Sequence, residues 1–310
     1  MSKVYDQKIT DSYALYWGDC VETIQGIPDE SIGYSLFSPP FAELYTYSDS
    51  EQDLGNSKDY DEFFIHFDFL IKELFRVMMS GRSISVHCID IPLMKERNGY
   101  IGLRDFQGDI IRAFQKHNFI FHSRTVIWKN PLIEATRTKA LGLMHRQLCK
   151  DSAICRQGLP DYIITMRKPG ENKQPISHGA GFQEFIGEDE PVERGIKYSH
   201  EVWRRYASPV WMDINQSDTL NFREARDDKD EKHICPLQLQ VIERCMTLWS
   251  NEGDTFLTPF GGIGSEAYIA IKMGRKPVSI ELKKSYYDQM IKNVSLAYEN
   301  RNNTGLFDAI

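Results

Sequence analysis

The sequence predicts an α/β fold with a mixed, mostly parallel sheet and helices on both faces. Three observations predict it. Short apolar runs of strand length alternate with longer amphipathic stretches over most of the 310 residues. A glycine-rich turn joins a strand to a helix near the C-terminus, as in nucleotide-binding α/β units. A buried run at residues 32–37 stops at Ser38-Pro39-Pro40, a break that only a strand end or loop tolerates.

Residues 13–17 read as a strand ending at Gly18-Asp19, and residues 21–27 as a helix closed by Pro28. The buried strand 32–37 follows. Residues 60–79 place Phe63, Phe64, Phe67, Leu70, Leu74, Phe75 and Met78 at helical spacing, which marks a core-facing helix. Gly81 is expected to end it, ahead of a strand at 83–89. A helix at 105–117 and strands at 119–128 and 161–167 come next. Residues 168–232 are rich in Gly, Pro and charge and lack periodicity, so they read as an irregular insertion. Regular structure resumes with a helix at 237–249, a strand at 255–257, a helix at 265–273, a strand at 276–280 and a closing helix at 284–298. The organisation expected is one domain in two parts, 1–167 and 233–310, interrupted by the insertion.

Hydrophobic residues make up 41% and charged residues 26%, an ordinary globular balance. No apolar run approaches the ~18–20 residues that span a bilayer, and the polar first eleven residues are not a signal peptide. Cys20, Cys88, Cys149, Cys155, Cys235 and Cys245 are scattered without a Cys-x-x-Cys pair, so a reduced cytoplasmic protein is expected. Cys149 and Cys155 with nearby histidines are a weak candidate for zinc, and no metal is expected. The net charge is −7, yet residues 112–156 carry nine Lys/Arg against Glu134 and Asp151, a local +7. A basic patch on an acidic body can dock a phosphate backbone.

The segment Thr258-Pro259-Phe260-Gly261-Gly262-Ile263-Gly264-Ser265 forms the turn between the strand at 255–257 and the next helix. Its glycines let a ligand approach the backbone. Glu281, at the tip of the following strand, suits two ribose hydroxyls. The third glycine of a dinucleotide fingerprint is missing, and the unit lies late in the chain. Adenosine without a pyrophosphate, most commonly S-adenosylmethionine, is therefore the better ligand. A tight structural turn is the alternative.

Ser38-Pro39-Pro40-Phe41 offers a rigid set of acceptors, the Ser38 hydroxyl and the Ser38 and Pro39 carbonyls, beside an aromatic plane. Such a set suits an amino group on a base. That nitrogen is a poor nucleophile because its lone pair is delocalised into the ring, and acceptors for its N–H bonds help to localise the pair. A methyl sulfonium in line could then be attacked directly. Phe41 could stack on a base drawn out of the duplex. On the residues alone, a structural Pro-Pro turn stays open.

Together these motifs resemble the DNA N4-cytosine and N6-adenine methyltransferase family. Its catalytic motif is Ser/Asn/Asp-Pro-Pro-Tyr/Phe and its cofactor motif Phe-x-Gly-x-Gly. Their order here resembles the permuted β-type arrangement. Gly18-Asp19-Cys20, Trp128-Lys129-Asn130-Pro131 and His233-Ile234-Cys235-Pro236 resemble further family segments. The resemblance implies a Rossmann-like S-adenosylmethionine-dependent methyltransferase fold, with target recognition in the insertion. It implies a catalytic set of Ser38, Pro39, Pro40 and Phe41. The cofactor set it implies is Asp19, Cys20, His233, Pro236, Thr258, Pro259, Phe260, Gly261, Gly262, Gly264 and Glu281. The family usually has Asp where Thr258 stands, and Ile263 is also atypical.

Ser at the head of the motif goes mostly with cytosine N4 in that family, and Asp with adenine N6. A neutral hydroxyl can also donate to cytosine N3, which an ionised Asp cannot. Cytosine N4 is thus favoured and adenine N6 is the alternative. No Pro-Cys pair is present for C5 chemistry. Trp128, Lys129, Arg137, Lys139 and Arg146 are the expected contacts to double-stranded DNA, and packing is expected for Trp203 and Trp211. An RNA methyltransferase and an inactive DNA-binding protein remain rival readings. The sequence leaves a homodimer and a partner restriction enzyme open.

Overall fold

The structure is a computed structural model that describes residues 4–40, 60–178, 198–221 and 236–307. Among the described residues one sheet has nine strands in the order β1-β2-β11-β10-β3-β4-β8-β7-β9. These are β1 (Val4–Ile9), β2 (Ala14–Gly18), β3 (Ile32–Phe37), β4 (Met78–Cys88), β7 (Ile120–Ile127), β8 (Asp161–Arg167), β9 (Val210–Trp211), β10 (Thr255–Thr258) and β11 (Lys276–Glu281). A small separate hairpin pairs β5 (Ile91–Leu93) with β6 (Gly102–Arg104). The helices are α1 (Cys20–Thr23), α2 (Tyr60–Val77), α3 (Lys95–Asn98), α4 (Phe106–Lys116), α5 (Pro131–Thr138), α6 (His145–Leu148), α7 (Tyr198–Ala207), α8 (Leu239–Trp249), α9 (Ser265–Lys272) and α10 (Lys284–Phe307).

Every pairing from β2 through β11, β10 and β3 to β4 is parallel. Strand β8 runs antiparallel between β4 and β7, and β1 is antiparallel to β2. This is the expected mixed, mostly parallel α/β sheet. Both faces are covered because the central strands are apolar on both sides. On one face Phe63, Phe67, Leu70 and Leu74 of α2 and Ile110 and Phe114 of α4 pack on Phe37, Ile84 and Val86. On the other, Val241, Ile242 and Cys245 of α8 and Ile269 of α9 pack on Tyr34, Leu36, Phe256 and Ile163. Burial of this kind is worth about 1.5–3 kcal/mol for each large apolar side chain.

The chain leaves β3 through α2 toward β4 on one side, and leaves β10 through α9 toward β11 on the other. Since β3 and β10 are neighbours, their carboxyl ends diverge and open a crevice. Ligands of open α/β sheets bind at such a switch point. Both sequence motifs sit there: Ser38 directly follows β3, and the 259–264 turn directly follows β10.

Several expectations are corrected. Gly81 does not end the helix. It lies inside β4 with φ +73, and a Cβ there would stand 2.5 Å from the Asn172 backbone nitrogen, so glycine permits a close chain approach. The insertion is not uniformly irregular, since α7 and β9 fall within it and β9 pairs with β7. Trp211 is buried as expected, but Trp203 is 57% exposed among the described residues. The closing helix runs on to Phe307. Polar β1 is an edge strand, largely solvated, which hid it from an apolar-run reading.

Candidate active site

The cofactor half is built by β10, β11 and the start of α9. Gly262 (φ +51) and Gly264 (φ +88) hold left-handed conformations that favour glycine. A Cβ on Gly264 would stand 2.8 Å from Met290 Cγ, and one on Gly261 would stand 2.3 Å from Ser279 Oγ. These two glycines therefore let the turn pack close to β11 and α10. A Cβ on Gly262 would meet nothing within 4 Å, so this residue borders open space. The Glu281 carboxylate accepts from Gly262 N and Lys283 N, each at 2.7 Å, and is thereby fixed beside the turn.

Thr258 Oγ1 and Ser265 Oγ are buried without a hydrogen-bond partner among the described residues. Polar atoms in that state are uncommon in a finished core and suit a site that takes a ligand. Ile263, atypical in sequence, fills a small apolar cluster with Tyr286 and Leu220. Asp19 follows β2 and caps α1 by accepting from Glu22 N at 3.0 Å. Burial pushes its carboxyl above the usual range. Cys20 is fully buried, and burial, with Asp19 next, pushes its thiol well up, so it is an apolar wall and not a nucleophile. Pro259 is buried and Pro236 partly so, and the partly buried Phe260 ring lies 5.6 Å from Phe37. An adenosine-bearing group fits this turn, and the fixed Glu281 carboxylate stands beside it.

The other half lies across β3. Pro39 and Pro40 are buried and Ser38 is half-buried. Ser38 Oγ is 2.8 Å from His87 Nδ1, at the end of β4. His87 Nε2 lies 3.2 Å from Asp161 Oδ2, at the start of β8. Asp161 Oδ1 lies 2.6 Å from Lys129 Nζ, just beyond β7. Burial alone would push the Asp161 carboxyl up, but His87 and Lys129 outweigh it and hold the carboxyl below the usual range. Side chains alternate between faces along a strand. Leu36, Ile127 and Ile163 share one core, so Ser38, Lys129 and Asp161, each two residues along, belong to that same face.

The family model for DNA methylases matches residues 34–292. The chain belongs to the DNA methylase family. Among its relatives, the Type II methyltransferase M.MjaI of Methanocaldococcus jannaschii is 23% identical over 300 residues, 89% of each chain. The Type II methyltransferase M.BamHI of Bacillus amyloliquefaciens is 22% identical over 277 residues, 88% of this chain. The match spans only 55% of M.BamHI, little more than half its length. Among solved structures, TTHA0409 of Thermus thermophilus, complexed with S-adenosyl-L-methionine, superposes with TM-score 0.64 at 20% identity, covering 92% of this chain and 95% of that one. The cytosine-N4-specific PvuII DNA methyltransferase gives TM-score 0.63 at 17% identity and covers 97% of both chains. The fold is thus that of S-adenosylmethionine-dependent DNA methyltransferases.

The structure brings together Ser38, Pro39, Pro40, Thr258, Pro259, Phe260, Gly261, Gly262, Gly264 and Glu281 at one edge of the sheet. Phe41 and His233 lie outside the described residues. Lys129, an expected DNA contact, has a 16% exposed side chain whose ammonium lies 2.6 Å from Asp161 Oδ1. Trp128 is 42% exposed. Arg137 is exposed but already paired with Glu134 at 2.9 Å, whereas Lys139 and Arg146 face solvent. His87 and Asp161 were missed by sequence reasoning. No local motif marks them, and only the pairing of β3, β4 and β8 sets them beside Ser38.

Proposed function

We propose that the methylase transfers a methyl group from S-adenosylmethionine to cytosine N4 in double-stranded DNA. S-Adenosylmethionine, when bound, supplies an electrophilic methyl group on a sulfonium. The 258–264 turn and Glu281 hold its adenosine end. Ser38 and the Pro39 carbonyl accept the N–H bonds of the target amino group and fix it facing the methyl donor. The carrying observation is the adjacency of Ser38 and the glycine turn at one switch point, from strands that pair directly.

Cytosine is preferred on the serine-headed motif and on the likeness to the cytosine-N4-specific PvuII methyltransferase. Adenine N6 is the second reading, and the Ser38–His87 bond favours it. A hydroxyl that donates to His87 presents only lone pairs to a base, as an aspartate would, and no longer donates to cytosine N3. Residues 168–232, with Lys139 and Arg146, are proposed as the DNA-facing region. Methylating unmodified DNA in vitro and identifying the modified nucleoside by mass spectrometry tests the reading. N4-methylcytosine supports it, N6-methyladenine moves it to the second reading, and no modified base rejects it.

A further inference from the structure

We infer that Ser38, His87, Asp161 and Lys129 form a relay that removes the proton released when the target amino group is methylated. The inference rests on the proposed amino-methyl transfer. The nitrogen lone pair becomes the new N–CH₃ bond, the electrons of the broken S–CH₃ bond stay on sulfur, and the nitrogen carries a positive charge. Neutrality returns when one N–H proton leaves. Ser38 Oγ takes that proton as its own hydroxyl proton passes to His87 Nδ1. His87 becomes an imidazolium between Ser38 and the Asp161 carboxylate, and later releases the proton to water.

The geometry fixes the direction. Asp161 is ionised and its Oδ2 lies 3.2 Å from His87 Nε2, a charge contact without hydrogen-bond geometry, so its negative charge favours the tautomer with the proton on Nε2. The Nδ1 lone pair then faces Ser38 Oγ at 2.8 Å, and the hydroxyl donates to it. Ser38 thereby turns its lone pairs toward the site. Lys129 offsets the charge of Asp161 and holds it from the other side at 2.6 Å. Among the described residues, Asp161 from β8 faces His87, and Lys129 beyond β7 faces Asp161. Asp90, beyond the end of β4, is held by Gln107 and Tyr162 at 3.4 Å each. The His87 side chain keeps 11% exposure, a route for the proton to solvent.

Stability alone does not account for the row. The Asp161 and Lys129 side chains are 2% and 16% exposed, and buried ion pairs at best roughly offset their own desolvation. The four groups lie on or just beyond the ends of four adjacent strands, β3, β4, β8 and β7, at the edge where Ser38 meets the site. His87 acts through Ser38 and is a positioning residue in that sense.

The test compares wild type with His87→Asn and Asp161→Asn. His87→Asn is expected to lower kcat for DNA methylation by roughly 10²- to 10⁴-fold, leave the calorimetric cofactor Kd unchanged, and abolish the acid limb of the wild-type kcat–pH profile. Asp161→Asn is expected to lower kcat without changing Kd. Ring-¹⁵N NMR of the wild-type protein, with no substrate present, is expected to find His87 protonated at Nε2 at neutral pH. An unchanged kcat, a retained acid limb, or a proton on Nδ1 overturns the relay. Should His87→Asn not fold, the tautomer decides alone. A wild type that methylates no DNA defeats the proposed function and the relay with it, whereas a methylating wild type matched by His87→Asn defeats only the relay.

Discussion

Ser38 has one bond already made before any base arrives, and that bond sorts the residues around it. Ser38→Ala removes an acceptor and Pro39→Ala loosens the carbonyl beside it. Both are expected to lose most methyl transfer, measured with labelled donor, while calorimetry finds cofactor binding intact. Wild-type turnover in both variants would remove the Ser-Pro-Pro loop from the chemistry. Glu281→Ala is expected to do the reverse. It removes hydrogen bonds to a charged acceptor, worth about 1.5–3 kcal/mol each, and weakens the cofactor Kd by about tenfold or more; equal affinity would take Glu281 out of the site. Ser38 and Glu281 were legible in sequence because each stands in a local pattern at a strand end. The His87–Asp161–Lys129 row was not. Its meaning arises from register between strands far apart in the chain, and a lone His or Asp in sequence carries no such information.

Among the elements, α9 carries a buried acid directly behind the glycine turn. Burial first, and then Glu281, pushes the Glu266 carboxyl up to about 7. The folded protein therefore holds a proton that the unfolded chain releases at lower pH. Stability from this group is full below the ordinary glutamate range and is lost as pH rises toward 7. Glu266→Gln is expected to match wild type in unfolding free energy from urea titration near pH ~4 and to exceed it above pH ~8 by on the order of 3 kcal/mol. Parallel curves at all pH values would refute the buried acid. Most strands and long helices were legible because their apolar periodicity is strong; β3 and β8 match their expected bounds. Helix α5 was overlooked although Asn130 caps it, accepting from Leu132 N at 2.9 Å, and Pro131 opens it. It buries no side chain, so no apolar stripe announces it.

Across the whole molecule, the positive charges that follow β7 are of two kinds, solvent-facing and ion-paired. Lys139 and Arg146 face solvent beyond the end of β7, whereas Lys129 is committed to Asp161. Arg146→Gln is expected to weaken DNA binding and to reduce the slope of log K against log salt by about 1. Lys129→Met is expected to lower kcat and leave that slope alone. Fluorescence titrations over a salt series separate the two, and an unchanged slope for Arg146→Gln would exclude it as a phosphate contact. The strand order carries a further consequence. β2 and β3 are close in sequence, yet β11 and β10 stand between them, with Ala14 paired to Val278. Two interior strands of the sheet are thus synthesised last. A nascent chain leaves the ribosome with exposed inner strand edges, and contacts of such long range close slowly. Until residue 281 emerges, the early half cannot complete its sheet, and the Ser38 loop has no opposing wall. Cutting back the C-terminus would therefore leave an unclosed sheet, not a smaller working domain.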